Sequence, residues 1–246
     1  MKLIFILFLL LTIAGPLWMS VSGQIDFKTS YLEANRDSSN LAPTPDKLQD
    51  AIIQVYSARA FNWRGIFSTH LWLVVKPKNS LKYTVYQVVG WRAFRGLSAL
   101  SVVDDIPDRN WFNQKPKILL DIRGEKSEKI IPEIYEAIKT YPYPNDYQTW
   151  PGPNSNTFIA WIARQIPELQ LQLPSNAMGK DFTGYHFFVR APSGTGYQIT
   201  IFGCFGIMLA WKEGLEINIL GLVYGISPYD LTIKLPGFGD ISLKRN

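Results

Sequence analysis

The chain has 246 residues, 47% of them apolar and 14% aromatic, and a formal net charge of +5. That length and apolar content allow a substantial core, in one large domain or two small ones. The charge falls to +4 once residues 1–22, whose single charge is Lys2, are set aside. With no dense run of Lys or Arg, this mild excess argues against nucleic acid as a partner and leaves a weak attraction to an anionic membrane surface.

The segment "MKLIFILFLLLTIAGPLWMSVSG" places one positive charge before an apolar run from Leu3 to Met19. Ser20 and Ser22 have the small side chains and spacing of a signal-peptidase site, so cleavage after Ser22 is one reading. Retention as an anchor is the other, because about 20 apolar residues span a bilayer and this run lies near the lower limit. A buried N-terminal helix is the plain alternative. In the first two readings the rest of the chain crosses a membrane, and the membrane is the expected partner of this segment. No cysteine follows the run, which excludes a lipid-anchored lipoprotein.

Residues 24–50 are polar and turn-rich and read as a tether or surface strap. Short apolar runs follow, "AIIQVYSARA", "STHLWLVVKP", "KYTVYQVVGWRAF", "SALSVVDDIP" and "PKILLDIRG", each bounded by turn residues and suited to strands. Ile131, Ile134, Tyr135 and Ile138 recur at helical steps and predict a helix over roughly 128–140. Pro132 confines its regular part to residues after about 129. Beyond the loop "YPYPNDYQTWPGP" a second helix is predicted from about Asn156 to Ile166, ended by Pro167. From residue 196 onward, Gly-punctuated apolar runs predict an antiparallel meander packed on the first sheet, with "KEG" as a hairpin turn. Its runs of about eleven residues are too short to span a bilayer. Its apolar residues read first as core, with a membrane-facing side as the alternative.

Cys204 has no internal disulfide partner, and its setting in "IFGCFGIML" reads as a buried, inert thiol. His70 and His186 are the only histidines, and no Cys or His pair stands at ligand spacing, so neither a metal nor another cofactor is expected. "SGTG" at 193–196 lacks the lysine and helix of a phosphate loop and reads as a turn. Asp104 and Asp105 read as a solvated turn. Lys180 and Asp181 receive no role.

The stretch "WPGPNSNTF", residues 150–158, carries the candidate chemistry. Four small polar side chains, Asn154 to Thr157, directly precede an apolar helical run, which is the ordinary mark of an N-cap. A helix start also offers free N–H groups and positive potential, which stabilise an oxyanion or a nucleophile. His70 begins the apolar strand "HLWLVV", where its ring is costly to bury without a partner. A serine on a helix start with a histidine on an adjoining strand is an arrangement covalent catalysis uses. Gln87, on the next strand, is the candidate to orient the imidazole, with Tyr83 and Tyr86 behind it. Asn154, Asn156, Trp150 and Trp91 are the candidate substrate contacts, and the many tryptophans, Trp111 among them, suit a groove floor or a core equally.

Taken in order, "QVYSARAFNWRGIFSTHLWLVVKP", "YTVYQVVGW", "YPYPNDYQTWPGPNSNTFIAWIARQIPEL" and "RAPSGTGYQ" resemble an uncharacterised family of bacterial envelope proteins, known as domain of unknown function 3750. "NSNTF" is also similar to the nucleophile-bearing helix start, "N-C-x-x-F", of circularly permuted papain-like peptidases and NlpC-type amidases. There a strand histidine comes first in the chain. That likeness implies His70 as general base, Gln87 as the polar third residue and Ser155 in place of the cysteine.

The expectation is therefore an α+β protein with a mainly antiparallel sheet, two or three helices, a permuted papain-like core and a C-terminal β-meander. Residues 1–22 form the signal or anchor, 23–50 the tether and 51–246 a single domain. The resemblance places it in the periplasm or on the periplasmic face of the inner membrane. There it would act on or bind an amide- or ester-linked envelope component, whether peptide, glycan or lipid-linked. The alternative is a non-catalytic envelope module in which Ser155 is a helix cap.

Overall fold

A computed structural model describes residues 2–244. Helix α1 spans Lys2–Val21, followed by strand β1 (Ile52–Arg59), a 3-10 turn (Asn62–Ile66), β2 (Thr69–Lys76), β3 (Thr84–Val88), the single turn α2 (Gly90–Ala93), β4 (Leu100–Asp104) and β5 (Lys117–Arg123). Helices α3 (Glu125–Lys139) and α4 (Ser155–Gln165) come next, and a second 3-10 turn (Pro167–Leu169) closes this half. Strands β6 (Phe188–Arg190), β7 (Gly196–Ile201), β8 (Phe205–Ala210), β9 (Gly214–Ile219), β10 (Leu222–Ser227), β11 (Thr232–Leu235) and β12 (Gly239–Ser242) complete the chain. The class is α+β with two antiparallel sheets and a C-terminal meander, as the sequence predicts.

The first sheet runs β4-β3-β2-β1-β5. Its central strands read as nearly unbroken apolar runs because both faces are covered, so alternation toward water has no room to appear. Ile53, Val55, Leu71, Leu73 and Val75 face α3 and α4, joining Ile134, Phe158, Ile159 and Ile162 in one core. On the other face Ile52, Tyr56, Trp72 and Val74 meet Ala34, Leu41, Ala42 and Leu48 of the 24–50 segment, which lies on the sheet as a strap. The buried Asp108 carboxylate fastens that strap by accepting from Ser38 Oγ and from the N–H groups of Leu41 and Ala42.

Helix α3 corrects the sequence reading. It begins at Glu125, and Pro132 lies well inside it. The N-cap is Gly124, at a φ of 69° that favours glycine, and Ile130, Ile131, Ile134 and Ala137 bury one continuous face across the proline. Packing of that face outweighs the hydrogen bond the proline removes. Cys204 is also corrected: it is half-buried in the turn between β7 and β8 rather than sunk in a core. Asp104 accepts from Thr84 Oγ1 at the end of β4, and Asp105 pairs with Arg109.

The second sheet runs β12-β11-β10-β9-β8-β7-β6, an uninterrupted meander. Its polarity reverses the core reading of the sequence. Gln198, Thr200, Glu216, Asn218 and Lys234 point inward and are buried, whereas Ile199, Ile207, Leu209 and Ile217 point outward and are exposed. The inward side is polar because the loop after α4 drives Lys180 and Asp181 beneath it. Lys180 Nζ donates to Asp181 Oδ1 at 3.0 Å and to Glu216 Oε2 at 2.5 Å, and Lys234 Nζ donates to Glu216 Oε1 at 2.6 Å. Gln198 and Asn218 donate to the two Asp181 oxygens, and Arg164 on α4 donates to Gln198. Burial alone would lower the Lys180 pKa, but Asp181 and Glu216 overcome it and hold the ammonium above its ordinary value. Burial likewise raises Glu216, and the two lysines outweigh it and hold the carboxyl below its ordinary value.

This network ties the second sheet to α4 and to the loop that follows it, and Glu216 stands at its centre. Glu216→Ala leaves two buried ammonium groups short of a carboxylate, for which the expected loss is about 3–5 kcal/mol of unfolding free energy. Lys139→Ala, which breaks an exposed pair with Glu136, is expected to cost under about 1 kcal/mol. Denaturant titration of both variants against the parent chain measures the difference.

Candidate functional site

Helix α4 starts where it does because Asn154 caps it. Asn154 Oδ1 accepts from the N–H of Asn156 at 2.9 Å and of Thr157 at 3.2 Å, and Thr157 Oγ1 accepts from the N–H of Asn154 at 3.1 Å. This reciprocal capping box satisfies three backbone donors at once. Ser155 is therefore not the cap, contrary to the alternative drawn from the sequence. It is the first helical residue, and among the described residues neither its Oγ nor its N–H has a hydrogen-bond partner.

The neighbouring side chains fix the helix start in space. Asn154 Nδ2 donates to the carbonyls of Thr149 and Met178, and Asn156 Nδ2 to those of Thr69 at 2.9 Å and Met178 at 2.8 Å. Thr157 Oγ1 donates to Gly179 O. The amide nitrogens of Asn154 and Asn156 thus serve as scaffold: they bind α4 to the start of β2 and to the loop at 178–179. The preceding Trp150–Pro151 and Gly152–Pro153 peptides are both cis.

His70, the second residue of β2, lies in register opposite Ala58 and is 7% exposed. Its Nε2 is 3.0 Å from Gln87 Oε1 on β3. With that oxygen as acceptor, Nε2 carries the ring proton and Nδ1 keeps a free lone pair. Trp111, from the loop between β4 and β5, stacks on the imidazole with ring centroids 3.6 Å apart and planes 8° from parallel. Trp91 stacks on Trp111 in turn at 5.7 Å. Burial lowers the His70 pKa to about 4, and the nearby Arg36 charge acts in the same direction against the opposing bond from Gln87.

A cavity of about 560 Å³ collects these groups. His70, Trp91, Trp150, Asn154, Ser155 and Asn156 all line it, and Gln87 stands behind His70. Six of the seven candidates from the sequence therefore share one cavity, and the seventh orients one of them. By strand alternation His70 belongs with Trp72 on the strap side of β2, whereas α4 packs on the side of Leu71 and Leu73. The cavity curls around the N-terminal end of β2, so groups from both sides open into it. His70 and Ser155 are not hydrogen-bonded to each other. Trp63, one of the tryptophans the sequence offers for a groove floor, lines the cavity too, and Phe94 and Tyr147 add aromatic wall that the sequence does not single out, because they come from turns whose packing depends on the whole fold. Lys180 and Asp181 lie outside the cavity, and no group of three or more His, Cys, Asp or Glu suited to a metal occurs among the described residues.

The depressed pKa carries a sign that can be tested. An unfolded histidine titrates near 6.5. As pH falls from about 6.5 toward 4 the unfolded chain takes up a proton that buried His70 does not. Stability contributed by the neutral ring is complete above about 6.5 and declines through that window. Titration of the imidazole resonances is expected to give a His70 midpoint near 4, and the His70→Gln chain should lose less stability over the same interval.

No curated protein and no solved structure matches the chain. Residues 50–182, which include β1 to α4 and every group of the cavity constellation from His70 to Asn156, match the family described as "Protein of unknown function (DUF3750)", and the chain belongs to that family.

Proposed function

We propose that this protein is a serine-nucleophile acyl hydrolase or acyltransferase of the cell envelope, with Ser155 as nucleophile, His70 as general base and Gln87 as the residue that holds the imidazole. The observation carrying this reading is the convergence of Ser155, at the first position of α4, and His70, with its Nε2 on Gln87, on one cavity. The order of strand histidine before helix-start nucleophile also fits a permuted papain-like core.

Serine is a weak nucleophile unless a base removes its proton during attack, so the base must be neutral at working pH. His70 meets that condition through burial, and an amide partner orients it without the charge that would raise its pKa. In the acylation step Ser155 Oγ bonds to the substrate carbonyl carbon as its proton passes to His70 Nδ1. The carbonyl oxygen becomes an oxyanion, for which the free N–H of Ser155 at the α4 start is the local donor. Collapse breaks the bond to the leaving oxygen or nitrogen, which takes the proton from His70. Water, or an acceptor hydroxyl, then attacks the acyl group, gives its proton to His70, and Ser155 is released with that proton. The aromatic wall formed by Trp63, Trp91, Phe94 and Trp150 suits a substrate with a large apolar acyl portion. Helix α1 is apolar and long enough to cross a membrane, which is compatible with a signal sequence or an anchor and supports placement in the envelope.

One observation favours a second reading. Because Ser155 and His70 are not hydrogen-bonded, the same cavity serves equally as a non-catalytic pocket for an apolar ligand. A fluorophosphonate probe separates the two. Covalent labelling of the parent chain is expected, with loss on Ser155→Ala, a drop of at least about 100-fold in rate on His70→Ala and a smaller drop on Gln87→Ala. The labelling rate should hold until pH approaches 4, following the lowered His70 pKa. Absence of labelling in the folded parent chain leaves the pocket as a binding site.

A further inference from the structure

We propose that the outward face of the β7–β12 sheet docks on a lipid bilayer beside α1. This inference does not rest on the chemistry proposed for Ser155. The cross-strand register aligns Tyr197, Leu209, Leu215, Ile226, Ile233 and Ile241 into one row across six consecutive strands. All six are exposed, Leu209 at 69%. One residue along in the same registers, the inward row carries Gln198, Glu216 and Lys234, all buried. An antiparallel sheet with one face in water places its apolar residues inward. Here the charges are inside and the outer row is uncharged, the pattern of strands that face lipid.

The fold also indicates what covers this face. Tyr224 lies opposite Ile217 in register, and α1 is seated on it: Thr12 Oγ1 and Tyr224 OH are 2.6 Å apart, and the Phe8 ring centroid lies 5.3 Å from that of Tyr224. Further along, Gly15 of α1 packs so closely on the turn at 236–238 that a Cβ there would stand 2.0 Å from Pro236 O. The apolar helix and the apolar sheet face are therefore continuous. A second copy of the chain laid on the sheet would cover the row but leave Leu3 to Leu11 of α1 in water, whereas a bilayer covers both surfaces. The sheet has two open edges, β6 and β12, and unpaired backbone is not tolerated in hydrocarbon. The sheet accordingly lies flat on the interface with its edges at headgroup depth, where the exposed rings of Trp211 and Tyr229 are suited to reside.

The test uses the full chain, carrying Cys204→Ser, in vesicles of phosphatidylethanolamine and phosphatidylglycerol. Nitroxide labels are placed through Leu209→Cys, Ile217→Cys or, on the exposed face of α3, Lys139→Cys. Ile207→Cys replaces either sheet site if its label perturbs the circular dichroism. Collision with molecular oxygen, which partitions into lipid, is expected to exceed collision with a water-soluble nickel chelate several-fold at Leu209 and Ile217, and the order should reverse at Lys139. Nickel reaching Leu209 and Ile217 as freely as Lys139 would overturn the proposal and leave α1 as the sole membrane contact. Exclusion of both reagents with spin–spin broadening between chains would overturn it in favour of a second copy on this face.

Discussion

The side chain of Asn154 is the constraint on which the site depends. One amide closes the first turn of α4 and reaches two separate carbonyls, while its neighbours tie the same turn to β2. The knot leaves no space for a side chain at Gly179: a Cβ there would stand 2.2 Å from Asn154 Nδ2, and its φ of +101° disfavours other residues. Because the cap is supplied one residue earlier, Ser155 has no structural bond to make. Its hydroxyl and N–H stay free at the positive end of a buried helix. A capping serine would have its oxygen committed to the backbone, so the identity of residue 154 decides whether residue 155 is available for chemistry.

The two polar centres of the molecule solve opposite electrostatic problems. Beneath the meander, buried charges pair with one another, Lys180 with Asp181 and Glu216 and Lys234 with Glu216, and that attraction keeps Lys180 and Glu216 ionised despite burial. At the cavity the side chain bonded to His70 is the uncharged Gln87 amide, the nearby Arg36 charge helps to keep the ring neutral, and Arg64 lines the wall. A carboxylate in place of Gln87 would favour the imidazolium and raise the His70 pKa. Gln87 gives orientation without that penalty, and the stack of Trp111 keeps the ring dry. The charged network sits outside the cavity and makes no direct contact with His70.

How legible these features were in the sequence follows from the range over which each is determined. The strands of the first sheet announce themselves because both their faces are buried, and β2 and β3 form a hairpin that brings His70 and Gln87 together across 17 residues. The cap at 154 rather than 155 was ambiguous because Asn and Ser are both good caps and only the backbone geometry chooses. The start of α3 lies ahead of the position the sequence suggests because a local rule about Pro132 yields to a buried face that only the tertiary fold supplies. Lys180 and Asp181 could be seen but not interpreted, since Glu216 lies 36 residues beyond Lys180 and Lys234 another 18 beyond that. In the meander, alternation gives the period of a strand but not which side is inward. The charges beneath it set that polarity, and they come partly from outside the sheet.

The meander and the cavity are joined by a shared wall. Leu220, in the turn between β9 and β10, lines the cavity, and a Cβ at the adjoining Gly221 would come within 2.6 Å of Trp150 Nε1. Trp150 is itself the residue that opens the turn leading to Asn154. A displacement of the β9–β10 turn would therefore press on Trp150, and through it on the segment that carries Ser155, without passing through the buried charges. An apolar surface, a cavity with aromatic walls and a neutral imidazole are mutually consistent with the acyl chemistry proposed for Ser155, and Arg64 places a positive charge on the same cavity wall.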